Sequence, residues 1–383
     1  MYRKIKGTDI FDGHSFTGPD HVLIVSNKGV IENIVSVAEA GEDVEEFDGI
    51  ICPGFINAHC HIELSHLKNK IAQHTGLVDF VQQVMEQRTA TTEEKQAAMR
   101  NAEEELFRSG TVAVGDICNT TDSLLLKKES KLHWHNFIEV SGFVSAGAQK
   151  RFDEANEVLK TFNLQPSTFD NVLSPHAPYS VSQKLFELIA AATQNKIITI
   201  HNQESPAEDD LYKKKIGFFL ALYQNLGIDI SGFTPTGRSS IQSWLPYFKK
   251  VQNIISVHNT FTQEEDILFA KKQSPAGVLY YCLCPNANLF IENKLPPVEL
   301  LIKHGCNIVL GTDSYASNTQ LNIFEEIKII QDNFPEISLQ TILQWATMNG
   351  ARALCIENKY GSFEKGKIPG VVLILENNSE IIL

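Results

Sequence analysis

No stretch of the 383 residues approaches the roughly 18 consecutive apolar positions that a membrane-spanning helix requires, so no membrane partner is expected. A basic excess is also missing. Lys and Arg number 33 against 46 Asp and Glu, a formal charge of -13, and such a surface repels phosphate, so nucleic acid is not an expected partner. There is no CxxC pair among Cys52, Cys60, Cys118, Cys282, Cys284, Cys306 and Cys355. Four of these thiols sit inside apolar runs, as small buried hydrophobes of a reducing compartment do. The opening MYRKIKGTDIFDG turns polar again before any stretch of signal-peptide length, so the cytoplasm is the expected location. The chain also lacks low-complexity tracts, solenoid repeats and the GxGxxG loop of a dinucleotide-binding sheet.

What recurs is an alternation of short β-rich apolar runs with longer helical patterns. The runs are Ile51–Ala58, Thr111–Ile117, Trp134–Val140, Asn171–Leu173, Lys196–Ile200, Asn253–Val257, Gly277–Leu283 and Asn307–Leu310. Between them lie helix starts of the capping-box type at Thr91, Ser180 and Thr262. Near-continuous apolar strands alternating with helices imply parallel pairing covered on both faces. Eight such units predict an α/β fold, a TIM-like (β/α)8 barrel. The two ends read differently, with short alternating runs around a Ser26-Asn27-Lys28-Gly29 hairpin turn and again in the last residues. The expected division is a small β-sandwich domain from 1–50 plus 358–383, both ends looking antiparallel, beside a barrel over 51–357. Residues 205–252 are too many for one βα unit and are expected to add two helices and a loop over the pocket.

Polar residues fall at the ends of these strands. His59 and His61 follow the first, His176 the fourth, His201 the fifth, His258 the sixth and Asp313 the eighth. In a barrel all those ends open on the active-site face. His59 and His61, two apart on an extended chain, point to one side. With His201 and Asp313 they offer three nitrogens and an anionic oxygen, a set that suits one Zn2+, with Fe2+ and Mn2+ also compatible. Such a site would activate a water for attack. Asp313 could accept its proton, His258 could hold and polarise the adduct, and Glu204 in HNQES could carry a proton to the leaving group. Catalytic roles are therefore expected for Glu204, His258 and Asp313. No strand end presents a lysine to bridge a second metal, so one cation is expected.

These motifs, Gly54-Phe-Ile-Asn-Ala-His59-Cys-His61, Ser174-Pro-His-Ala-Pro178, His201-Asn-Gln-Glu204, Val257-His258-Asn259, Cys284-Pro-Asn-Ala-Asn288 and Leu310-Gly-Thr-Asp313, resemble those of the amidohydrolase superfamily, in family order over about residues 45–375. The resemblance is to its mononuclear aminohydrolase branch of deaminases and triazine chlorohydrolases. It implies metal ligation by His59, His61, His201 and Asp313, a proton shuttle at Glu204 and a water-orienting His258. Stretches 59–67, 233–239 and 316–327 look most like the aminodeoxyfutalosine and S-adenosylhomocysteine deaminase groups. By that likeness Glu63 and His176 would face the nucleoside, Glu63 at a ribose hydroxyl. The implied activity is hydrolytic deamination of an aminopurine nucleoside or related heterocycle, a small-molecule partner, with family habit suggesting a homodimer. The alternative on the same site is hydrolysis of a carbon–halogen or cyclic-amide bond, although the HxxE glutamate favours deamination. Asn286 and Ala287 depart from the arginine or serine common in relatives.

Overall fold

The computed structural model describes residues 2–165, 169–249, 253–273 and 278–383. Eight parallel strands form the barrel: β1 (Phe55–Cys60), β2 (Thr111–Cys118), β3 (His133–Val140), β4 (Phe169–Pro175), β5 (Ile198–Asn202), β6 (Ile254–His258), β7 (Leu279–Leu283) and β8 (Asn307–Leu310). Gly277, where the seventh run was expected to begin, lies outside the described residues. Every residue of β1 and β2 is buried, which is why these strands read as unbroken apolar runs rather than alternating ones.

Backbone ladders join β1 to β4 in order and β5 to β8 in order. Side chains help to close the two remaining seams. Between β4 and β5 the Ser174 hydroxyl donates to the Thr199 carbonyl and accepts from the Thr199 N–H, both at 2.7 Å. Between β8 and β1 the N–H groups of Thr312 and Asp313 donate to the His59 carbonyl at 3.1 Å, and Asn57 Nδ2 donates to Thr312 Oγ1 at 2.8 Å. The seams therefore lie beside three of the expected metal ligands, His59, Asp313 and His201.

The first apolar run divides. Ile50–Pro53 leaves the barrel and pairs antiparallel with Val371–Ile374, so the small β-layer reaches past residue 50 to Pro53. The break is at Gly54, where a Cβ would sit 2.3 Å from Val112 Cγ1 and 2.5 Å from the Pro369 carbonyl. Two four-stranded sheets make up this layer. Tyr2–Lys6, His21–Ser26, Ile31–Ser36 and Glu45–Glu46 form one; Asp9–Ile10, Ile50–Pro53, Val371–Ile374 and Ser379–Ile381 form the other. Ile5, Leu23, Val25, Ile51, Val371 and Leu373 pack into a shared core between them, and the Ser26–Gly29 turn is present. Not all pairing is antiparallel: Glu45–Glu46 lies parallel to Tyr2–Lys6, and Asp9–Ile10 parallel to Ile50–Ile51.

Helix starts follow local chemistry. Thr91 accepts from the Glu94 N–H while Glu94 reaches back to Thr91, opening the helix Thr92–Arg108. The start expected at Ser180 lies at Ser182 instead, because the Ser180 hydroxyl is bonded to His176. Thr262 does not cap either; its hydroxyl donates to Gln203 Oε1 at 2.7 Å. Residues 205–249 hold three helices rather than two, Pro206–Lys214, Phe218–Asn225 and Ser240–Trp244.

Candidate active site

Strand ends bring the four expected ligands together. The Nε2 atoms of His59, His61 and His201 face one another, His61 lying 3.1 Å from His59 and 3.2 Å from His201. Asp313 Oδ1 is 3.5 Å from His59 Nε2 and 3.4 Å from His61 Nε2. Four donors held about 2.0–2.2 Å from one ion in a tetrahedron stand roughly 3.3–3.6 Å apart. The two edges to Asp313 fall in that range and the two between imidazoles lie 0.1–0.2 Å below it, so these side chains fit a single small divalent cation.

The surroundings prepare the donors. His201 Nδ1 meets the His176 carbonyl at 2.8 Å, which puts the proton on Nδ1 and leaves the Nε2 lone pair facing the centre. Ser317 Oγ donates to Asp313 Oδ2 at 2.5 Å, turning Oδ1 inward. Burial, ahead of any neighbouring charge, lowers the pKa of His59, His61, His201 and His258, so the rings stay neutral. Three residues at this face take up the left-handed backbone that side chains rarely adopt: Gln203 at φ 46°, His258 at 71° and Asp313 at 57°. Strain of this kind gathers at functional sites.

Glu204 and His258 stand against the cluster. His258 Nε2 is 3.5 Å from Glu204 Oε1, and both side chains are buried. Burial first, then the carboxylates of Asp313 and Glu208, pushes the Glu204 carboxyl well above its ordinary value. Asn288 Nδ2 lies 3.4 Å from His258 Nδ1 and donates to Thr260 Oγ1 at 2.6 Å.

A cavity of about 340 Å³ opens above these groups, with His61, His176, His201, Glu204, His258 and Asp313 on its floor. Its walls are largely apolar. Leu77, Phe80, Val81 and Val84 come from the helix Leu77–Gln87, and Leu222 and Tyr223 from the helix Phe218–Asn225 of the insertion. Phe143 stacks on Tyr223 at 4.9 Å, and Tyr223 Oη donates to the Tyr179 carbonyl at 2.5 Å, which fixes the aromatic side.

The two residues expected at the nucleoside part company. His176 lines the cavity, its Nδ1 bonded to Ser180 Oγ at 2.6 Å. Glu63 does not line it. Its carboxylate accepts from the backbone N–H groups of Asn119 and Thr120 at 3.1 Å and from Ser123 Oγ at 3.2 Å. The sequence reading passed over Glu139. This carboxylate lines the cavity at the end of β3, accepts from Asn119 Nδ2 at 2.7 Å and stands 3.9 Å from His176 Nε2. Its position one residue before the end of β3 was the available signal.

Among known proteins, the profile of the Amidohydrolase family matches residues 50–382. An adenosine deaminase of Helicobacter pylori is 28% identical over 326 residues, covering 84% of this chain and 77% of that protein. A 5-methylthioadenosine/S-adenosylhomocysteine deaminase of Teredinibacter turnerae is 28% identical over 349 residues, 87% of this chain and 73% of that one. Among solved structures, Helicobacter pylori aminofutalosine deaminase in complex with methylthio-coformycin superposes with a TM-score of 0.84 at 24% identity. That match covers 99% of this chain and 97% of the other, and shows the fold.

Proposed function

This chain belongs to the amidohydrolase family, and from that premise we propose that it is a metal-dependent hydrolytic deaminase of adenosine-like nucleosides. The relatives named as adenosine and 5-methylthioadenosine/S-adenosylhomocysteine deaminases support this substrate class. The observation that carries the reaction type is Glu204: a buried carboxyl with a raised pKa, opposite His258 and beside the His59/His61/His201/Asp313 cluster.

In this reading His59, His61, His201 and Asp313 hold one divalent ion, and the three-nitrogen, one-oxygen set favours Zn2+. When bound, such an ion would supply Lewis acidity to a water. Asp313 would accept a proton from the attacking water. His258 hydrogen-bonds the adduct at the amino-bearing ring carbon. Glu204 would give its proton to the ring nitrogen; the proton held by Asp313 would then pass to the amino group, which leaves as ammonia, while the hydroxyl proton of the adduct returns to Glu204. Glu139 and His176, which line the cavity as Glu63 does not, are the proposed contacts to the sugar. The apolar walls beyond this floor suit a nucleoside with an extended 5′ substituent better than a free base. The seven free thiols, five of them buried, accord with a cytoplasmic setting.

The test is ammonia release from zinc-loaded protein over adenosine, S-adenosylhomocysteine, methylthioadenosine, aminodeoxyfutalosine, guanine and cytosine. Turnover of the adenosine-type nucleosides alone is expected. Glu204→Gln should lower it by about 10²–10⁴-fold with metal retained. Turnover confined to guanine or cytosine would overturn the substrate class. Full activity of the Glu204 variant would overturn the shuttle.

A further inference from the structure

Between the end of β5 and the helix Pro206–Lys214 the chain turns abruptly. Gln203 sits in the left-handed region at φ 46°, and Glu204 follows directly. Here the ladder with β6 has ended and the helix has not begun, so the N–H groups of Gln203 and Glu204 have no regular backbone partner. Glu208, in the first helical turn, supplies both. Its Oε2 accepts from the Gln203 N–H at 2.9 Å and its Oε1 from the Glu204 N–H at 2.8 Å. The residue is wholly buried.

The rest of the turn is bound as tightly. Gln203 Nε2 donates to Asp266 Oδ2 at 2.7 Å, and Ser205 caps the helix by accepting from the Ala207 N–H. A carboxylate in a first helical turn is also favoured by the helix dipole. Two bonds from successive N–H groups to one carboxyl hold a backbone much as a bidentate ligand holds an ion.

We infer that Glu208 is a positioning residue for the proposed proton shuttle: it clamps the Gln203–Glu204 turn so that the Glu204 carboxyl stands opposite His258. This rests on the reading of Glu204 given above. A purely structural helix cap would stabilise the fold equally, but its loss would not depend on whether residue 204 can carry a proton.

A double-mutant cycle separates the two roles. Glu208→Gln keeps the volume but turns an amide N–H2 towards one of the two donors. Its kcat should fall between about 10-fold and 100-fold, with KM and metal content within about twofold of wild type. Placed on Glu204→Gln, the same change should cost nothing further. An equal loss in both backgrounds, or an unchanged kcat in the single variant, overturns the role of Glu208 while leaving the shuttle in place. Full activity of Glu204→Gln overturns both. If Glu208→Gln does not fold, Glu208→Asp, which keeps the charge and draws the clamp back by one methylene, is read through the same cycle.

Discussion

Among the described residues, the buried polar cluster around Lys127 and the one at the strand ends use their hydrogen-bonding capacity in opposite ways. On β2 and β3, the Lys127 ammonium donates to Asp116 Oδ2 at 2.5 Å, to Asn136 Oδ1 at 2.7 Å and to Cys118 Sγ at 3.1 Å. Its three N–H groups are all engaged. Asp116 Oδ1 accepts from the Ile62 N–H at 2.8 Å, and Asn136 Nδ2 donates to Asn171. Burial alone would lower the Lys127 pKa, yet the neighbouring Asp116 raises it. At the strand ends, by contrast, three neutral imidazoles turn their Nε2 atoms on one another and on a carboxylate, and His59 Nδ1 has no partner among the described residues. A buried cluster that satisfies itself is structural; one whose lone pairs converge needs a guest to complete it.

Breaking the self-satisfied cluster should have the largest effect on stability. Lys127→Met leaves Asp116 buried without its counter-charge, and should cost about 3–5 kcal/mol in urea unfolding. Zinc bound per folded chain should not change. A cost below about 1 kcal/mol would mean that the cluster is not held together by that charge pair.

The open cluster responds differently. Ser317→Ala removes the donor that turns Asp313, and should lower zinc affinity by about 10–100-fold in competition with a chelator. Its unfolding in the metal-free state should stay near wild type. Unchanged affinity would show that Asp313 is oriented without the serine. Smallest is Thr91→Ala, on an exposed helix start far from both clusters. Loss of that cap should cost about 1 kcal/mol, with kcat and zinc affinity untouched. A change in either would show that the surface helix is coupled to the site.

The same distinction explains what the sequence disclosed. The strand ends were legible because barrel topology puts them on one face whatever the loops between them do, so His59, His61, His201, His258 and Asp313 could be grouped from position alone. Local hydrogen-bonding choices were not. Ser180 fits a cap by spacing, but the His176 ring captures its hydroxyl. Glu63 sits beside the ligands in sequence, yet the Asn119 and Thr120 N–H groups turn its carboxylate away from the cavity. Gly54 ends one sheet and starts another within a single apolar run, a switch set by the closeness of Val112 and Pro369. Glu139 was hidden because its strand carries other polar residues, His133, His135 and Asn136, that do not line the cavity.

Metal content tests the convergent cluster most directly. Protein expressed with zinc and dialysed should carry about one ion per chain, and His59→Ala and Asp313→Ala should each lose it while remaining folded. Less than about 0.3 ions per wild-type chain, or full content in both variants, would contradict the claim that these four side chains hold a single cation.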